Sequence, residues 1–267
     1  MSRPDPVAVA HRAATAGGEV AVAAFREDID VETKADKTDF LTRADSETQD
    51  RVVEVIREAD PDSAVVGEEN DARKDVPAEG RAWIIDPIDG TNNFVRGLNH
   101  WCTSVAYVED GTPLAAANVL PAVGDSYVAG PGGFQRNGET VTVSTRKDPE
   151  TFTVAPTFWW DFDRREEFAA ACEAIVTRFG DLARPKSIQV ILSLVAAGAI
   201  EGAITNVRPN PWDSIAGAYM VEQAGGTVTD IHGDPWTHDS QGLVASNGTA
   251  HDELLAATRA VETVRES

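Results

Sequence analysis

The sequence predicts an α/β fold of the α+β type, in which helices pack on sheets. Three observations support this. The chain has 267 residues, 42% of them hydrophobic, which is enough for one large core or two closely packed ones. Its first half contains short apolar runs joined by hairpin signals, and its second half alternates strand-like with helix-like segments. Such alternation is typical of helices layered on a sheet.

The first half begins with two amphipathic helices. Apolar residues recur at helical spacing over 6–25 and over 46–58, and the polar segment 32–39 separates the two. The dipeptides Asp110-Gly111 and Asn137-Gly138 predict hairpin turns, so we expect an antiparallel meander after the second helix. Its predicted strands are 64–66, 82–85, 103–108, 114–120, 126–129 and 140–143.

The second half mixes both kinds of element. Strands are predicted at 152–155, 200–205, 226–229 and 243–245, and helices at 165–179, 190–198, 212–223 and 251–264. The amino-acid composition shifts at residues 144–149, which makes this segment the best candidate for a domain boundary. We therefore expect an N-terminal α+β domain over residues 1–146 and a C-terminal α/β domain over residues 147–267.

The charge balance is strongly acidic. Lys and Arg number 23 against 44 Asp and Glu, for a formal net charge of -21, and only five residues are lysine. This argues against nucleic acid or an anionic membrane as a partner. An acidic, lysine-poor surface stays hydrated in concentrated salt, where charges are screened within about 3 Å at 1 M. We therefore expect a high-salt cytoplasm.

Other features favour the same compartment. Cys102 and Cys172 are too few for a disulfide framework, which favours a reducing environment. The N-terminal residues lack the basic and apolar regions of a secretory leader, and no run of 18 apolar residues occurs. These observations predict a cytoplasmic protein without a membrane partner.

The strongest chemical signal lies in residues 83–94. A short apolar run ends there, and Asp86 and Asp89 follow three residues apart with a proline between them. Their carboxylates suit hard cations, and the amides of Gly90 and Thr91 suit a phosphate if they open a helix. The alternative is a solvated turn in which Asp89 caps a helix.

Two further acidic positions extend this signal. Glu68 follows a predicted strand in Gly67-Glu68-Glu69, and Asp213 follows Trp212 at the start of a predicted helix. Taken singly, each is an exposed acid or a helix cap. Together, such acids could hold two cations roughly 3.5 to 4 Å apart, which can lower the pKa of water, hold the phosphate and neutralise the leaving oxygen in the hydrolysis of a phosphate monoester. The five histidines show no ligand spacing, which disfavours zinc chemistry.

Taken together, these strings resemble the inositol monophosphatase family. Its members are magnesium-dependent, lithium-sensitive phosphatases, and they include archaeal fructose-1,6-bisphosphatases and 3'-phosphoadenosine 5'-phosphate phosphatases. The resemblance covers nearly all of the chain. The strings that carry it are Asp39-Phe40-Leu41-Thr42-Arg43-Ala44-Asp45, Gly67-Glu68-Glu69, Asp86-Pro87-Ile88-Asp89-Gly90-Thr91, Gly132-Gly133-Phe134, Asn137-Gly138, Trp212-Asp213 and Leu243-Val244-Ala245-Ser246-Asn247-Gly248.

The resemblance implies a layered α/β/α/β/α sandwich, a homodimer and two or three Mg²⁺ per subunit. Glu68, Asp86 and the Ile88 carbonyl would hold the first ion. Asp86, Asp89 and Asp213 would hold the second, with Asp86 bridging the two, and Glu68 could serve a third. Most of these ligands lie in the predicted N-terminal domain.

The resemblance also implies roles around the phosphate. Gly90 and Thr91 would contact the phosphate beside Asp89. Asp45 and Thr91 would orient the attacking water and, with Glu68, form the catalytic set. Lys34 matches the position of a mobile loop.

Substrate choice is less determined. Many inositol-preferring members carry a glutamate where this chain has Asn206, and a Gly-Ser/Thr-Ala-Ala run where it has 187–190. We expect Asn206 and Arg208 to be substrate contacts. Arg208 could meet a second phosphate, or it could be a solvated loop residue. The aromatic run 158–160 could cover a substrate entrance or pack at an interface.

These features predict a phosphomonoesterase acting on a small polyol or sugar phosphate, with inositol 1-phosphate as the first substrate. Fructose-1,6-bisphosphatase, or a 3'-phosphoadenosine 5'-phosphate phosphatase, is the alternative enzyme. A metal-binding regulatory protein is the non-enzymatic alternative.

Overall fold

The computed structural model describes residues 4–27, 31–33, 40–69, 72–157 and 160–265. The described part of the chain contains seven α-helices and short 3₁₀ turns at Pro149–Thr151 and Phe162–Arg164. The helices are α1 (Pro6–Ala24), α2 (Arg43–Ala59), α3 (Thr91–Val95), α4 (Arg165–Val176), α5 (Ile188–Ala196), α6 (Pro211–Gln223) and α7 (His251–Arg265).

The strands form a small hairpin and two sheets. The hairpin pairs β1 (Val31–Thr33) with β2 (Phe40–Thr42). A seven-stranded sheet has its strands in sequence order: β3 (Ala64–Gly67), β4 (Arg81–Asp89), β5 (Cys102–Glu109), β6 (Thr112–Leu120), β7 (Asp125–Gly130), β8 (Gly133–Arg136) and β9 (Glu139–Thr140). A five-stranded sheet has the order β11 (Asp181–Leu182), β10 (Thr153–Pro156), β12 (Gly202–Thr205), β14 (Leu243–Ser246) and β13 (Thr227–Thr229).

Alternating side chains on β4 build the first two interfaces. Trp83 and Ile85 point to one face of the seven-stranded sheet, where they join the buried residues of α1 and α2. Ile84 points to the other face and joins the buried residues of α5 and α6. The period of two along a strand therefore places one helical layer on each side of this sheet.

The five-stranded sheet completes the stack. A row of small residues, Ala155, Ala203 and Ala245, crosses three paired strands and faces the α5 and α6 layer. On the opposite face Val154 and Ile204 pack with the buried residues of α4 and α7. The order of layers is α1/α2, sheet, α5/α6, sheet, α4/α7, which confirms the α/β/α/β/α sandwich.

Some predicted elements differ from the structure. The meander is antiparallel only from β4 onward, because β3 pairs parallel to β4 with Ala64 opposite Ala82. The strand predicted at 140–143 ends at Thr140, because the Val143 N–H donates to the Ala224 carbonyl at 3.2 Å instead of extending the sheet. Strand β8 was not predicted.

The division between the sheets falls between Thr140 and Thr153. Helices α5 and α6 belong to the second half of the chain but share a core with the first sheet, so the halves are intimately packed. The division into two domains stays a prediction. Among the described residues, no helix combines the length and the apolar character needed to cross a bilayer.

Candidate metal and phosphate site

An irregularity in β4 places two acids together. Asp86 pairs with Ser104 and Asp89 pairs with Cys102. An interval of three residues on β4 is therefore paired with an interval of two residues on β5, which is a β-bulge. In a regular strand, residues three apart point to opposite faces. Because of the bulge, Asp86 and Asp89 do not point to opposite faces, and both carboxylates can lie on the same side of the sheet. A hydrogen bond from the Thr103 hydroxyl to the Pro87 carbonyl, at 2.8 Å, fixes the irregular segment.

A third acid joins them from the second half of the chain. Asp213 lies in the first turn of α6, and each of Asp86, Asp89 and Asp213 offers an oxygen within 4.8 Å of the other two. The Asn210 amide donates to Asp213 at 2.8 Å and so fixes its orientation. The structure therefore brings Asp213 to two predicted ligands, Asp86 and Asp89, that lie far from it in the sequence.

Donors from α5 hold Asp89. The Ser187 hydroxyl and the Gln189 backbone N–H, the latter at 2.6 Å, donate to the same oxygen, Oδ2. Ser187 is also the N-cap of α5 and accepts from the Val190 N–H at 3.2 Å. One side chain thus caps the helix and positions a candidate ligand.

Burial and repulsion dominate the electrostatics of the cluster. Burial raises the pKa of Asp89 from 3.8 to about 6, and the charge of Glu68 adds to the rise, although the donors from Ser187 and Gln189 oppose it. Burial, then repulsion from Glu68 and Asp89, also holds the pKa of Asp213 well above its ordinary value. The folded site therefore disfavours its own negative charges.

Glu68 occupies the loop that follows β3, where its side chain is half-buried. The Lys74 ammonium donates to the carbonyls of Gly67 and Glu68 at 2.9 and 2.8 Å. The neighbouring Glu69 backbone N–H donates to the Gln49 side chain at 2.9 Å. These contacts fix the backbone of Glu68, and repulsion from its charge contributes to the raised pKa of Asp89 and Asp213.

Thr91 and Asp45 lie on a second side of the site. The Thr91 hydroxyl is 3.3 Å from Asp45 Oδ1 and 3.0 Å from the Ile88 carbonyl. Asp45 is buried in the first turn of α2. Gly90 precedes Thr91 with φ of 95°, and a β-carbon there would lie 2.9 Å from the His100 carbonyl, so this turn requires glycine.

The donor set fits magnesium. Asp86, Asp89 and Asp213 supply only hard oxygen atoms, and Glu68 and the Ile88 carbonyl could supply more. No His–Cys set that would favour zinc is found among the described residues. A divalent cation would also offset the repulsion that raises the carboxylate pKa values.

Asn206 requires a correction. Its side chain is buried, it accepts from the Trp160 indole N–H at 2.8 Å, and its amide donates to Glu167 and Glu262. Both ends of the carboxamide are already used by protein partners, so this side chain is not available to a substrate. The expected substrate contact at Asn206 is therefore wrong.

The remaining expectations have mixed outcomes. Arg208 forms an ion pair with Asp239, and both side chains are more than half exposed. They line a cavity of about 300 Å³ with Lys74 and Trp212, next to Asp213, so a substrate contact by Arg208 stays a prediction. Of the aromatic run, Trp160 is buried and packs on Phe168 with ring centroids 5.2 Å apart. Lys34, Phe158 and Trp159 lie outside the described residues.

The sequence interpretation missed several residues that organise the site. Ser187, Asn210 and Lys74 each hold an acid or its backbone in place. Ser187 had a readable signal, since a serine directly before an apolar helical run predicts an N-cap. The contacts of Asn210 and Lys74 depend on loop geometry and left no such signal.

Comparisons with known proteins identify the family and support the fold. The model of the inositol monophosphatase family matches residues 4–263. A Thermotoga maritima protein named fructose-1,6-bisphosphatase/inositol-1-monophosphatase is 36% identical over 84% of each chain. A Pseudomonas aeruginosa protein named Nus factor SuhB is 30% identical over 92% of this chain and 93% of its own. A solved IMPase structure from Thermotoga maritima superposes with a TM-score of 0.85 at 31% identity, over 97% of this chain and 96% of its own.

Proposed function

This chain belongs to the inositol monophosphatase family, and from that premise we propose that it is a magnesium-dependent phosphomonoesterase acting on a small phosphorylated metabolite. The observation that carries the proposal is the convergence of Asp86, Asp89 and Asp213 beside the Thr91–Asp45 contact. Such a cluster provides cation ligands next to a hydroxyl and a buried carboxylate, which are the groups that hydrolysis by an activated water needs.

Each acid has a proposed place. Glu68, Asp86 and the Ile88 carbonyl would hold one cation, Asp86, Asp89 and Asp213 would hold another, and Glu68 would serve a third, weaker site. When bound, the magnesium ions supply positive charge to the phosphate and leaving oxygens and lower the pKa of water. Ser187 and Asn210 keep Asp89 and Asp213 oriented before any ligand arrives.

Thr91 and Asp45 are proposed to handle the attacking water. The Thr91 hydroxyl lies between the Ile88 carbonyl and Asp45, so it donates to one of them and offers its lone pairs to water. Asp45 is the acceptor toward which the proton of that water moves. The backbone of Gly90 and Thr91 is proposed to contact the phosphate.

The substrate proposal covers inositol 1-phosphate and fructose 1,6-bisphosphate. The Thermotoga maritima relative carries both activities in its name. The glutamate that many inositol-preferring members use is replaced by Asn206, which is engaged within the protein, so the sugar pocket differs from theirs.

Phosphate release across a substrate panel tests the proposal. In concentrated salt with Mg²⁺, we expect release from at least one of the two substrates, loss of release with EDTA and recovery when magnesium is added back. Release that persists in EDTA would contradict the metal-dependent mechanism. Absence of release from any phosphorylated polyol, sugar or nucleotide would contradict the enzymatic proposal.

A regulatory role is the second candidate. Its support is the relative named Nus factor SuhB, which matches most of this chain. Against it stand the intact carboxylate cluster and the net charge of -21, which disfavours direct contact with nucleic acid. A regulatory protein without activity would bind magnesium, seen as a rise in melting temperature, and would release no phosphate.

Three further proposals accompany the enzymatic one. A homodimer follows from the family resemblance, and mass measurement in solution tests it. Two or three Mg²⁺ per subunit follow from the ligand set, and calorimetric titration tests the number. A high-salt cytoplasm follows from the excess of acidic residues and the scarcity of lysine.

A further inference from the structure

Gln189 contacts the elements that position two of the candidate ligands. It lies in the first turn of α5, and its side chain is fully buried. Its backbone N–H donates to Asp89 at 2.6 Å, at the end of β4. Its side-chain amide donates to the Trp212 carbonyl at 2.8 Å, at the start of α6. One residue of α5 therefore links Asp89 to the helix turn that contains Asp213.

The contact with Trp212 acts on the backbone of Asp213. The Trp212 carbonyl belongs to the peptide bond between these two residues, so its oxygen and the Asp213 Cα lie in one plane. A donor that holds this oxygen therefore restrains the point from which the Asp213 side chain leaves the helix. The Asn210 amide orients the carboxylate itself, by donating to Asp213 at 2.8 Å. Gln189 thus sets the position of Asp213, and Asn210 sets its orientation.

Asn118 fixes the direction of the Gln189 carboxamide. The Asn118 side-chain amide, on β6, donates to Gln189 Oε1 at 3.1 Å and to the Ser193 hydroxyl oxygen at 2.9 Å. Because Asn118 presents a donor, the oxygen end of Gln189 faces Asn118 and the amide end faces Trp212. Asn118, Gln189 and Ser193 are all fully buried. The reverse arrangement would place two buried donors against each other and is disfavoured.

Helices α5 and α6 approach each other closely at Gln189. A β-carbon at Gly217, one turn after Asp213 on α6, would lie 2.5 Å from Leu192 Cβ and 2.9 Å from Gln189 Oε1. Glycine is therefore required at this crossing, and the carboxamide lies between α6 and Asn118 without spare room. The distance that Gln189 spans is thus fixed by the packing on both of its sides.

The spacing that Gln189 fixes bears on which cation fits the site. Asp86, Asp89 and Asp213 each offer an oxygen within 4.8 Å of the other two. Mg²⁺ requires nearly octahedral oxygen ligands at about 2.0–2.1 Å, whereas Ca²⁺ accepts irregular ligand sets at about 2.3–2.6 Å. A rigid link between two ligands therefore favours the smaller ion, and a looser link would weaken that preference.

We propose that Gln189 is a positioning residue that sets the preference of the site for Mg²⁺ over Ca²⁺, by fixing the separation of Asp89 and Asp213. Asn118 supports this role by orienting the Gln189 carboxamide. The inference rests on the proposed magnesium site and adds to it the residue that determines selectivity for the ion.

Three variants isolate the contribution of Gln189. Gln189→Met keeps an unbranched side chain of similar length without hydrogen-bonding groups, and its backbone N–H still reaches Asp89. Asn118→Val keeps Gln189 but removes the donor that orients it. Ser193→Ala is the matched control, because it removes a buried hydrogen bond of Asn118 and leaves the side-chain contacts of Gln189 in place.

Calorimetric titration of the metal-free proteins with MgCl₂ and with CaCl₂, in concentrated KCl, is the measurement. Titration of Asp213→Asn identifies the binding step that belongs to this site, because that step should be lost. The readout is the ratio of the Ca²⁺ Kd to the Mg²⁺ Kd for that step. A structural role alone would weaken both ions equally and leave the ratio unchanged.

In the unmodified protein this step should bind Mg²⁺ more tightly than Ca²⁺. We expect Gln189→Met to lower the ratio about tenfold, mainly through weaker Mg²⁺ binding, since residues that orient metal ligands change affinity about 10- to 100-fold. Asn118→Val should lower the ratio less, and Ser193→Ala should leave it unchanged. An equal weakening of both ions in Gln189→Met, or tighter binding of Ca²⁺ by the unmodified protein, would overturn the inference.

Far-UV circular dichroism establishes that each variant is folded. If Gln189→Met does not fold, Asn118→Val decides, and an unchanged ratio in that variant would overturn the inference. If Asp213→Asn loses no binding step, the proposed metal site and the inference fail together.

Phosphate release separates this inference from the proposed function. If the ratio falls in Gln189→Met although the unmodified protein releases no phosphate, the role of Gln189 stands and the enzymatic proposal fails. If phosphate is released with Mg²⁺ but the ratio is the same in every folded variant, the proposed function stands and the role of Gln189 is refuted.

Discussion

Replacing Asp89 by asparagine should stabilise the metal-free protein. Asp89 is 6% exposed, and its pKa rises from 3.8 to about 6 on folding. At 1.36 kcal/mol for each pKa unit, keeping this carboxylate charged at pH 8 costs about 3 kcal/mol of folding free energy. Both hydrogen bonds from Ser187 and Gln189 end on one oxygen, Oδ2, so the asparagine carbonyl can keep them.

The stability gained by Asp89→Asn should increase with pH. Because the folded pKa lies above the unfolded one, the cost is absent below about pH 3.8 and complete above the folded pKa near 6. Asp89→Asn removes the cost, so its advantage over the unmodified protein should be about 3 kcal/mol at pH 8 and about half of that at pH 5. For a chain of this length, 3 kcal/mol corresponds to roughly 5 °C in melting temperature.

Thermal unfolding followed by far-UV circular dichroism is the assay, in EDTA and about 1 M salt, where exposed charges are screened. Asp125→Asn is the control. Burial raises the pKa of Asp125, but hydrogen bonds from Asn137 and Arg136 outweigh it and keep that pKa below its ordinary value. This variant should therefore lower the melting temperature. A lower melting temperature for Asp89→Asn at pH 8, or an advantage that does not shrink at pH 5, would refute the reasoning.

Further predictions concern the metal, the chemistry and the salt. Mg²⁺ should raise the melting temperature of the unmodified protein but hardly that of Asp86→Asn, since a shared ligand is lost; equal rises would remove Asp86 from the site. Asp213→Asn should keep its circular dichroism spectrum while kcat falls by orders of magnitude, and near-native turnover would exclude Asp213 as a ligand. Thr91→Val should lower kcat about 100-fold and Thr91→Ser should restore most of it, because the hydroxyl is the group in use; similar rates in both would count against that role. Removal of salt should reduce the far-UV signal as acidic side chains repel one another, whereas an unchanged spectrum would contradict a salt-adapted surface.

The hydrophobic pattern predicts helices that pack on sheets, whereas the five-layer order was implied by the family resemblance. The alternation of Trp83, Ile84 and Ile85 along β4 distributes these side chains between two helical layers, and helical spacing in α1 and α2 marks their buried faces. The parallel pairing of β3 with β4 was not predictable, since a short apolar run reads the same in either direction. Pairing direction depends on the connection between the strands, and the sequence between them carries no helical or hairpin signal.

The acids of the site were named from the sequence, but their surroundings were not. Asp86 and Asp89 stand in a dense local motif, which limits their possible roles. Asn206 shows the opposite case, because its position in the chain suggested a sugar contact while its partners come from Glu167 and Glu262, on two distant helices. The contacts of such a residue are determined by long-range packing, which the local sequence does not show.

The site joins the two halves of the chain. Asp86, Asp89 and Glu68 come from the edge of the seven-stranded sheet formed by β3 and β4, whereas Asp213 begins α6. Burial, and after it the repulsion among these acids, raises the pKa of Asp89 and Asp213, so without a cation both effects oppose the packing of α6 on that sheet.

Lys74 contacts both of these elements. It donates to the Glu68 carbonyl and lies 5.6 Å from the ring centroid of Trp212, so it touches the loop after β3 and the start of α6 together. A bound cation would add a second link between the same two elements. Metal binding and the packing of the two halves are therefore coupled, and a substitution that strengthens this packing while leaving the ligands unchanged should also strengthen metal binding.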